Sequence, residues 1–315
     1  MRPSWIRGLL NGALAVIFEA KMNIINFLRK LLWKAHLNPY HLTDYFFVPI
    51  DRTKLREAKN IRLIPREGNR RGGKYAYSEW GLATGVFQAV FYTHLENKSD
   101  NRILDVGCGT GLLAIAAEPF VQGKGKYVGM DATKKDIDFC RKHYPPSSFE
   151  FIHLDVNNPA YAPEQKKRNM TWPVKDNSFD LVTALSVWTH LNEEDAVFNF
   201  KEAERVLKPG GKAILTFFVL DEVYRETLDK RTDGPGRFHM FSQKRWIFNQ
   251  ASYGSDAWFH PEWAEVPEWA IAVTEKGLER MMSGTNMDLT EKLMGSWKEE
   301  PGIYFQDILI FQKKT

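Results

Sequence analysis

Ile103-Leu104-Asp105-Val106-Gly107-Cys108-Gly109-Thr110-Gly111-Leu112 decides the fold of this chain. An apolar run ends in a glycine-rich turn, and an apolar helical segment, Leu112 to Phe120, follows at once. Glycines at 107, 109 and 111 permit positive φ and let a ligand approach the backbone closely. The helix start beyond them offers unpaired N–H groups. Such a turn suits any adenosine-bearing cofactor, and two features narrow the choice. The spacing is G-x-G-x-G, not the G-x-G-x-x-G of a nicotinamide site. Asp105 stands inside the turn, where a carboxylate repels a pyrophosphate but pairs with an ammonium.

The residues that follow extend this into a sheet. Tyr127-Val128-Gly129-Met130-Asp131 reads as a second strand ending in an acid, placed where doubly wound nucleotide folds set a carboxylate against ribose hydroxyls. Phe149 to Val156 reads as a third strand, again closed by an acid, Asp155. Phe179 to Leu185 reads as a fourth. A helix end at Glu202 to Leu207, a Pro209-Gly210-Gly211 turn and a fifth strand, Lys212 to Phe218, complete the alternation. Each acid alone is an ordinary strand-end carboxylate. Four landmarks in this order and at this spacing point to one nucleotide-binding sheet.

With these landmarks in place, the glycine turn resembles motif I of class I S-adenosylmethionine-dependent methyltransferases. Trp172-Pro173-Val174-Lys175-Asp176-Asn177-Ser178-Phe179-Asp180 is similar to the loop before strand four in the methyltransferase 11/25-type families. Ser186-Val187-Trp188-Thr189-His190-Leu191 is similar to their post-strand motif. Thr216 to Glu222, Gly295-Ser296-Trp297 and Gln306 to Ile310 resemble a bacterial subgroup of unassigned substrate. The resemblance covers about residues 70–315. It is specific for fold and cofactor and uninformative about the acceptor, because these families methylate unrelated molecules.

The resemblance implies an α/β fold, a doubly wound Rossmann-like sheet of seven strands in the order 3-2-1-4-5-7-6 with strand seven antiparallel. It implies S-adenosylmethionine as cofactor and S-adenosylhomocysteine as product. The implied cofactor contacts are Asp105, Gly107, Cys108, Gly109, Gly111, Asp131, Ala132, Asp155, Val156 and Leu185. Asp155 is the acid expected to accept from the adenine amino group, with the next backbone N–H facing the ring.

Composition sets outer bounds. The 315 residues suffice for one large domain with an appendage, and 43% hydrophobic with 26% charged residues reads as globular. Cys108 and Cys140 are the only cysteines, which gives neither a disulfide framework nor a zinc site and points to a reducing compartment. The charge is uneven. Residues 1–75 hold 15 Lys/Arg against 5 Asp/Glu, whereas the remainder holds 28 against 34. The basic character therefore belongs to the N-terminal segment and suggests an anionic partner for it. Nucleic acid is disfavoured, since no binding module is recognisable and the catalytic part is acidic.

Residues 1–74 read as a basic amphipathic helix and linker, and residues 75–315 as the methyltransferase domain. On a helical wheel Ile6, Leu9, Leu10, Ala13, Leu14, Ile17, Ile24, Phe27, Leu28 and Leu31 share one face. Glu19, Lys21, Arg29 and Lys30 interrupt the apolar run, so nothing approaches the ~20 apolar residues of a bilayer span. Three readings of residues 1–35 stand: packing on protein, including self-association; peripheral contact with a membrane surface; or a targeting peptide. Cytoplasm is the expected location, with membrane association as its variant. Residues 51–74, rich in Arg, Lys and Gly, read either as a solvated loop or as an arm over the site. Tyr75 to Leu95 has the spacing of the helix that precedes strand one. Residues 221–270 carry Phe238, Phe241, Trp246, Phe248, Trp258, Trp263 and Trp269, and read as a cap over an acceptor pocket, a dimer surface or a second small core. Thr274 to Met282 reads as a helix, with strands at Met287–Leu293 and Ile303–Gln312.

Methyl transfer asks the protein mainly for proximity and alignment, plus a base where the acceptor must lose a proton. His190, just after strand four, is the candidate base; its alternative is a packing histidine at the next helix. His153 reads as a strand residue. His239 and His260 are second choices, and Glu79, Asp221 and Glu222 could bind acceptor hydroxyls. An Asn-Pro-Pro-Tyr motif of nucleobase methylation is absent, and no metal-ligating constellation is recognisable. The expected function is metal-free O-methylation of a small-molecule, sugar or lipid-linked acceptor. The alternatives are N- or C-methylation of a small molecule, or a non-catalytic scaffold on the same fold. Asp105, Asp131 and Asp155 together argue against a scaffold, and the glycine spacing argues against a dehydrogenase.

Overall fold

Strand β1 (Arg102–Val106) lies inside a seven-stranded sheet that also contains β2 (Lys126–Asp131), β3 (Phe149–His153), β4 (Phe179–Ala184) and β5 (Leu207–Phe217). The structure is a computed structural model and describes residues 27, 31, 38–164 and 169–315. Two C-terminal strands, β10 (Met287–Leu293) and β11 (Asp307–Lys313), complete the sheet in the order β3-β2-β1-β4-β5-β11-β10. β11 runs antiparallel to both neighbours, while β1 to β5 are parallel. This is the order the sequence led us to expect. Parallel strands need crossovers and must bury both faces, which explains the near-continuous apolar runs of β1, β2 and β4. One buried cluster, containing Leu104, Val182 and Leu215, covers one face; a second, containing Ile103, Leu181 and Ile214, covers the other.

The helices on either side of β1 fall where the sequence placed them. α2 (Tyr77–His94) precedes β1. α3 (Leu112–Ala117) is shorter than expected and finishes as a 3-10 turn through Phe120. α4 (Lys134–His143) connects β2 to β3. α5 (Glu193–Val206) begins at Asn192, whose side chain accepts from Asp195 N, and carries three acids in its first turn, both favourable at a helix N-terminus. The Pro-Gly-Gly turn is a break in pairing rather than a gap between elements. Phe179 sits opposite Leu207, but Leu181 sits opposite Lys212, so residues 208–211 bulge out of register, with Gly210 at φ +77°.

Residues 218–274 build what the sequence did not reveal, a second sheet of four strands. Its order is β6 (Val219–Leu220), β9 (Ala272–Thr274), β8 (Trp258–Pro261) and β7 (Phe248–Ala251). Its aromatic side chains make a small core of their own: Phe218, Tyr224, Trp246, Phe248 and Trp297 pack as one cluster. Trp258 belongs to the main core. The remaining helices are α6 (Glu222–Leu228) and α7 (Glu275–Met282), the latter capped by Thr274.

Helix α1 (Pro39–Lys54) precedes these elements and docks on the turn at Glu67–Asn69. The amphipathic face expected over residues 1–35 lies outside the described residues, apart from Phe27 and Leu31, which are exposed. Among the described residues no helix is long and apolar enough to cross a membrane.

Candidate active site

A cavity of about 320 Å³ opens at the C-terminal ends of β1, β2 and β4, where open α/β sheets bind ligands. Three layers wall it. The glycine turn and the ends of β1 and β2 form the floor. Leu154, Val156, Asn157, Asn158, Tyr161, Met170 and Trp172 come from the segment between β3 and β4. Leu185, Ser186, Val187 and His190 follow β4.

The glycines are required sterically. Gly107, Gly109 and Gly111 all have positive φ, at +68°, +50° and +92°. A Cβ on Gly107 would lie 2.4 Å from Val187 Cγ2, and one on Gly111 2.5 Å from the Tyr144 hydroxyl. At Gly109 a Cβ would meet nothing closer than 3.9 Å, so there the backbone angle alone demands glycine.

Asp105 is buried in this floor. Tyr127 OH donates to its Oδ2, and Oδ1 has no hydrogen-bond partner. Burial raises its pKa to about 8, opposed by the tyrosine hydrogen bond and reinforced by nearby Asp131. A buried carboxylate oxygen without a donor, in the wall of a cavity, fits a ligand that brings a cationic donor. The ammonium of S-adenosylmethionine is such a group. Asp131 is held from both sides: Oδ2 accepts from Gly109 N and Oδ1 from Thr133 N, each at 2.7 Å. Each oxygen keeps a second lone pair for ligand hydroxyls. Burial raises its pKa against these two backbone bonds.

Of the residues singled out in the sequence, Asp105, Gly107, Cys108, Gly109, Asp131, Ala132, Val156 and Leu185 line the cavity. Gly111 shapes the turn from behind through Tyr144, whose hydroxyl donates to Thr110 O and Gly111 O. Asp155 departs from expectation. β3 ends at His153, Leu154 turns inward, and Asp155 is exposed and outside the cavity wall. The adjoining polar groups that do line it are Asn157 and Asn158.

His190 occupies the wall after β4. Its Nδ1 lies 2.6 Å from Glu268 O. A carbonyl oxygen only accepts, so Nδ1 carries the proton and Nε2 is the basic nitrogen. Tyr161 OH donates to Nε2 at 3.1 Å, and Ser186 Oγ lies 3.4 Å away. Burial lowers the His190 pKa to about 4, opposed by the bond to Glu268, so the ring is neutral near pH 7. Ser186, at φ +61°, is fixed from the sheet: Thr216 Oγ1 accepts from its N, and Gln306 Nε2 donates to its Oγ.

The other sequence candidates sit elsewhere. His153 Nε2 contacts Ala132 O, His239 pairs with Glu299, and His260 contacts Ser252 Oγ. Glu79 and Glu222 are exposed. Asp221 is buried and engaged by Lys298 at 2.7 Å and by Lys292. Residues 221–270 supply none of the cavity wall; their contact with the site is the Glu268 carbonyl behind His190. The basic linker does reach the cavity: Arg71, Gly72 and Lys74 form part of the wall, Arg71 paired to Asp136 at 2.7 Å. Tyr161 and Asn158 were invisible as site residues in the sequence because no motif surrounds them, whereas Arg71 belongs to the basic segment read as a solvated loop or an arm over the site.

Residues 104–215 match the methyltransferase domain family. Over 110 residues the chain is 31% identical to the ubiquinone biosynthesis O-methyltransferase of Pelagibacter ubique, a match covering 35% of this chain and 39% of that protein. Over 126 residues it is 32% identical to the demethylmenaquinone methyltransferase of Symbiobacterium thermophilum, covering 40% and 45%. The chain thus spans less than half the length of either relative. Among solved structures, the magnesium protoporphyrin IX methyltransferase of Synechocystis with bound SAH aligns with 86% of this chain and 97% of its own, at 13% identity and a TM-score of 0.48.

Proposed function

We propose, for a chain whose residues 104–215 match the methyltransferase domain family, that it uses S-adenosylmethionine to methylate an oxygen of a small-molecule, sugar or lipid-linked acceptor without a metal. The cofactor supplies a methyl group already activated by its sulfonium charge. Asp105 would hold the ammonium of the methionyl end, and Asp131 the ribose hydroxyls. Val156 and Leu185 would flank the adenine.

The observation that carries the acceptor half of this reading is the fixed tautomer of His190. Its Nε2 lone pair stands in the cavity wall, oriented by Glu268 O from behind and Tyr161 OH from the side. Nε2 takes the proton that the acceptor oxygen sheds as it gains the methyl by way of Tyr161, whose hydroxyl passes its own proton to Nε2 and accepts the acceptor's. A hydroxyl oxygen in that transition becomes strongly acidic, so a base with a low pKa suffices, and its neutrality at physiological pH keeps it ready. Asn157, Asn158 and Ser186 add hydrogen-bonding groups for a hydroxylated acceptor beside the apolar Met170 and Trp172.

The test has two parts. S-adenosylhomocysteine should raise the melting temperature, and labelled methyl from the cofactor should appear in a small-molecule fraction of a cell extract as an alkali-stable ether or an alkali-labile ester. No stabilisation by S-adenosylhomocysteine would remove the cofactor half. Label found only on nitrogen or carbon would remove the O-methylation half.

A further inference from the structure

We propose that helix α1 docks the protein on an anionic lipid surface through the stripe Tyr40, Thr43, Phe47, Ile50 and Lys54. These positions follow the i, i+3, i+7, i+10, i+14 spacing of one helix face. All five are exposed, Phe47 at 61% and Ile50 at 56%, with Phe46 beside them at 62%. A neighbouring face of the helix is already used. Val48 is buried, and Asp44 accepts from Glu67 N and pairs with Arg70 at 2.6 Å. The stripe is therefore not a core face awaiting its own domain.

Charge identifies the occupant. Beyond Lys54 the chain continues through exposed Arg56, Lys59, Arg62 and Arg66, and none of these five cations makes an ion pair among the described residues. The surface joins aromatic and aliphatic groups to unpaired basic ones, the combination that seats in a headgroup layer and draws anionic lipid. A second copy of this chain fits poorly, because a two-fold contact would set two such cation clusters against each other. Residues 1–35 repeat the same pairing of apolar face and cations in sequence.

The surface has a fixed relation to the cavity. Asp44 holds Arg70, and the next residue, Arg71, is cavity wall. Docking would tether the cavity to the lipid surface through this ion pair. Its use for a membrane-borne acceptor rests on the methyl-transfer reading; the docking itself does not.

Co-sedimentation of the full chain with phosphatidylglycerol-containing and pure phosphatidylcholine vesicles tests this. Binding should require the anionic lipid and weaken about tenfold or more in high salt. Phe47→Asp with Ile50→Asp should weaken it about tenfold. The same variant should keep its thermal stabilisation by S-adenosylhomocysteine, which separates loss of docking from loss of fold or of cofactor binding. A second variant, Arg56→Glu with Arg62→Glu, should lose binding without touching the apolar stripe. Absence of binding to anionic vesicles overturns the proposal. So does undiminished binding by the aspartate variant, or a dimer in solution that this variant converts to monomer.

Discussion

The Nδ1 of His190 lies 2.6 Å from the main-chain oxygen of Glu268, so a residue after β4 is oriented by a segment nearly eighty positions further along the chain. That contact fixes the tautomer and leaves Nε2 basic. His190→Gln should lower kcat by roughly 10²–10³-fold, the range for losing a positioned base. S-adenosylhomocysteine affinity should be unchanged. Tyr161→Phe removes the hydroxyl that carries the proton to Nε2 and should cost about tenfold. A His190→Gln enzyme with wild-type turnover would remove the imidazole from the reaction.

The same histidine predicts acid sensitivity. Its folded pKa, about 4, lies below its ordinary value of 6.5. The unfolded chain therefore binds the proton first as pH falls, and stability is lost between about pH 6.5 and 4. Melting curves over that range should fall more steeply for the wild type than for His190→Gln.

Asp105 behaves in the opposite sense. Its folded pKa is raised from 3.8 to about 8, so the fold favours the protonated acid and loses stability as pH rises between these values. Asp105→Asn should raise the melting temperature of the ligand-free protein at pH 8. Pairing with an ammonium requires the carboxylate. Calorimetric affinity for S-adenosylhomocysteine should therefore climb with pH up to about 8, by at most about tenfold per unit, and level off above it. Asp105→Asn should bind weakly and without that slope. A flat pH profile in the wild type would argue that the carboxylate does not meet the ammonium.

The main sheet was legible because its signals are local. The glycine turn, the acids at the ends of β1 and β2 and the strand–helix alternation each lie within a few residues. Asp155 misled because strand length decides which side chains point inward, and β3 stops three residues earlier than its apolar pattern suggests. The 218–274 region stayed ambiguous between a cap, a dimer surface and a second small core for another reason. Trp246 and Trp258 look alike in sequence, yet one packs in the small aromatic core and the other in the main core. Both are buried, so Trp258→Ala should destabilise by roughly 3–5 kcal/mol instead of acting on acceptor KM alone.

The three glycines of the turn should differ in what they tolerate. Gly109→Ala makes only ordinary contact with Arg71 at 3.9 Å and carries the strain of positive φ, about 1–2 kcal/mol. Gly107→Ala adds contact with Val187, a side chain in the cavity wall, and should perturb ligand binding. Gly111→Ala adds contact with the Tyr144 ring, which is buried and hydrogen-bonded, and should be the most damaging to the fold. Melting temperatures and S-adenosylhomocysteine titrations of the three variants would establish the order. A Gly111→Ala protein as stable as Gly109→Ala would contradict it.

The last prediction concerns how the second sheet is fastened to the first. Lys298 is fully buried, and its Nζ lies 2.7 Å from Asp221 Oδ2 and 2.9 Å from Asp307 Oδ1. Asp221 caps α6, whereas Asp307 begins β11 and accepts from Val219 N, Gly295 N and Trp297 Nε1. One ammonium thus joins the insertion to the main sheet. Removing it leaves Asp307 without its cation and Asp221 with Lys292 alone. A buried charge stripped of its partner costs roughly 3–5 kcal/mol, more than replacement of the whole set by apolar groups. Lys298→Met should therefore be strongly destabilising, and Lys298→Met with Asp307→Asn less so than the single change. Because neither residue lines the cavity, the folded fraction of each variant should bind S-adenosylhomocysteine as the wild type does. Denaturant titration with the ligand as a folded-state probe measures both quantities, and a Lys298→Met protein of wild-type stability would show that the ammonium fastens nothing.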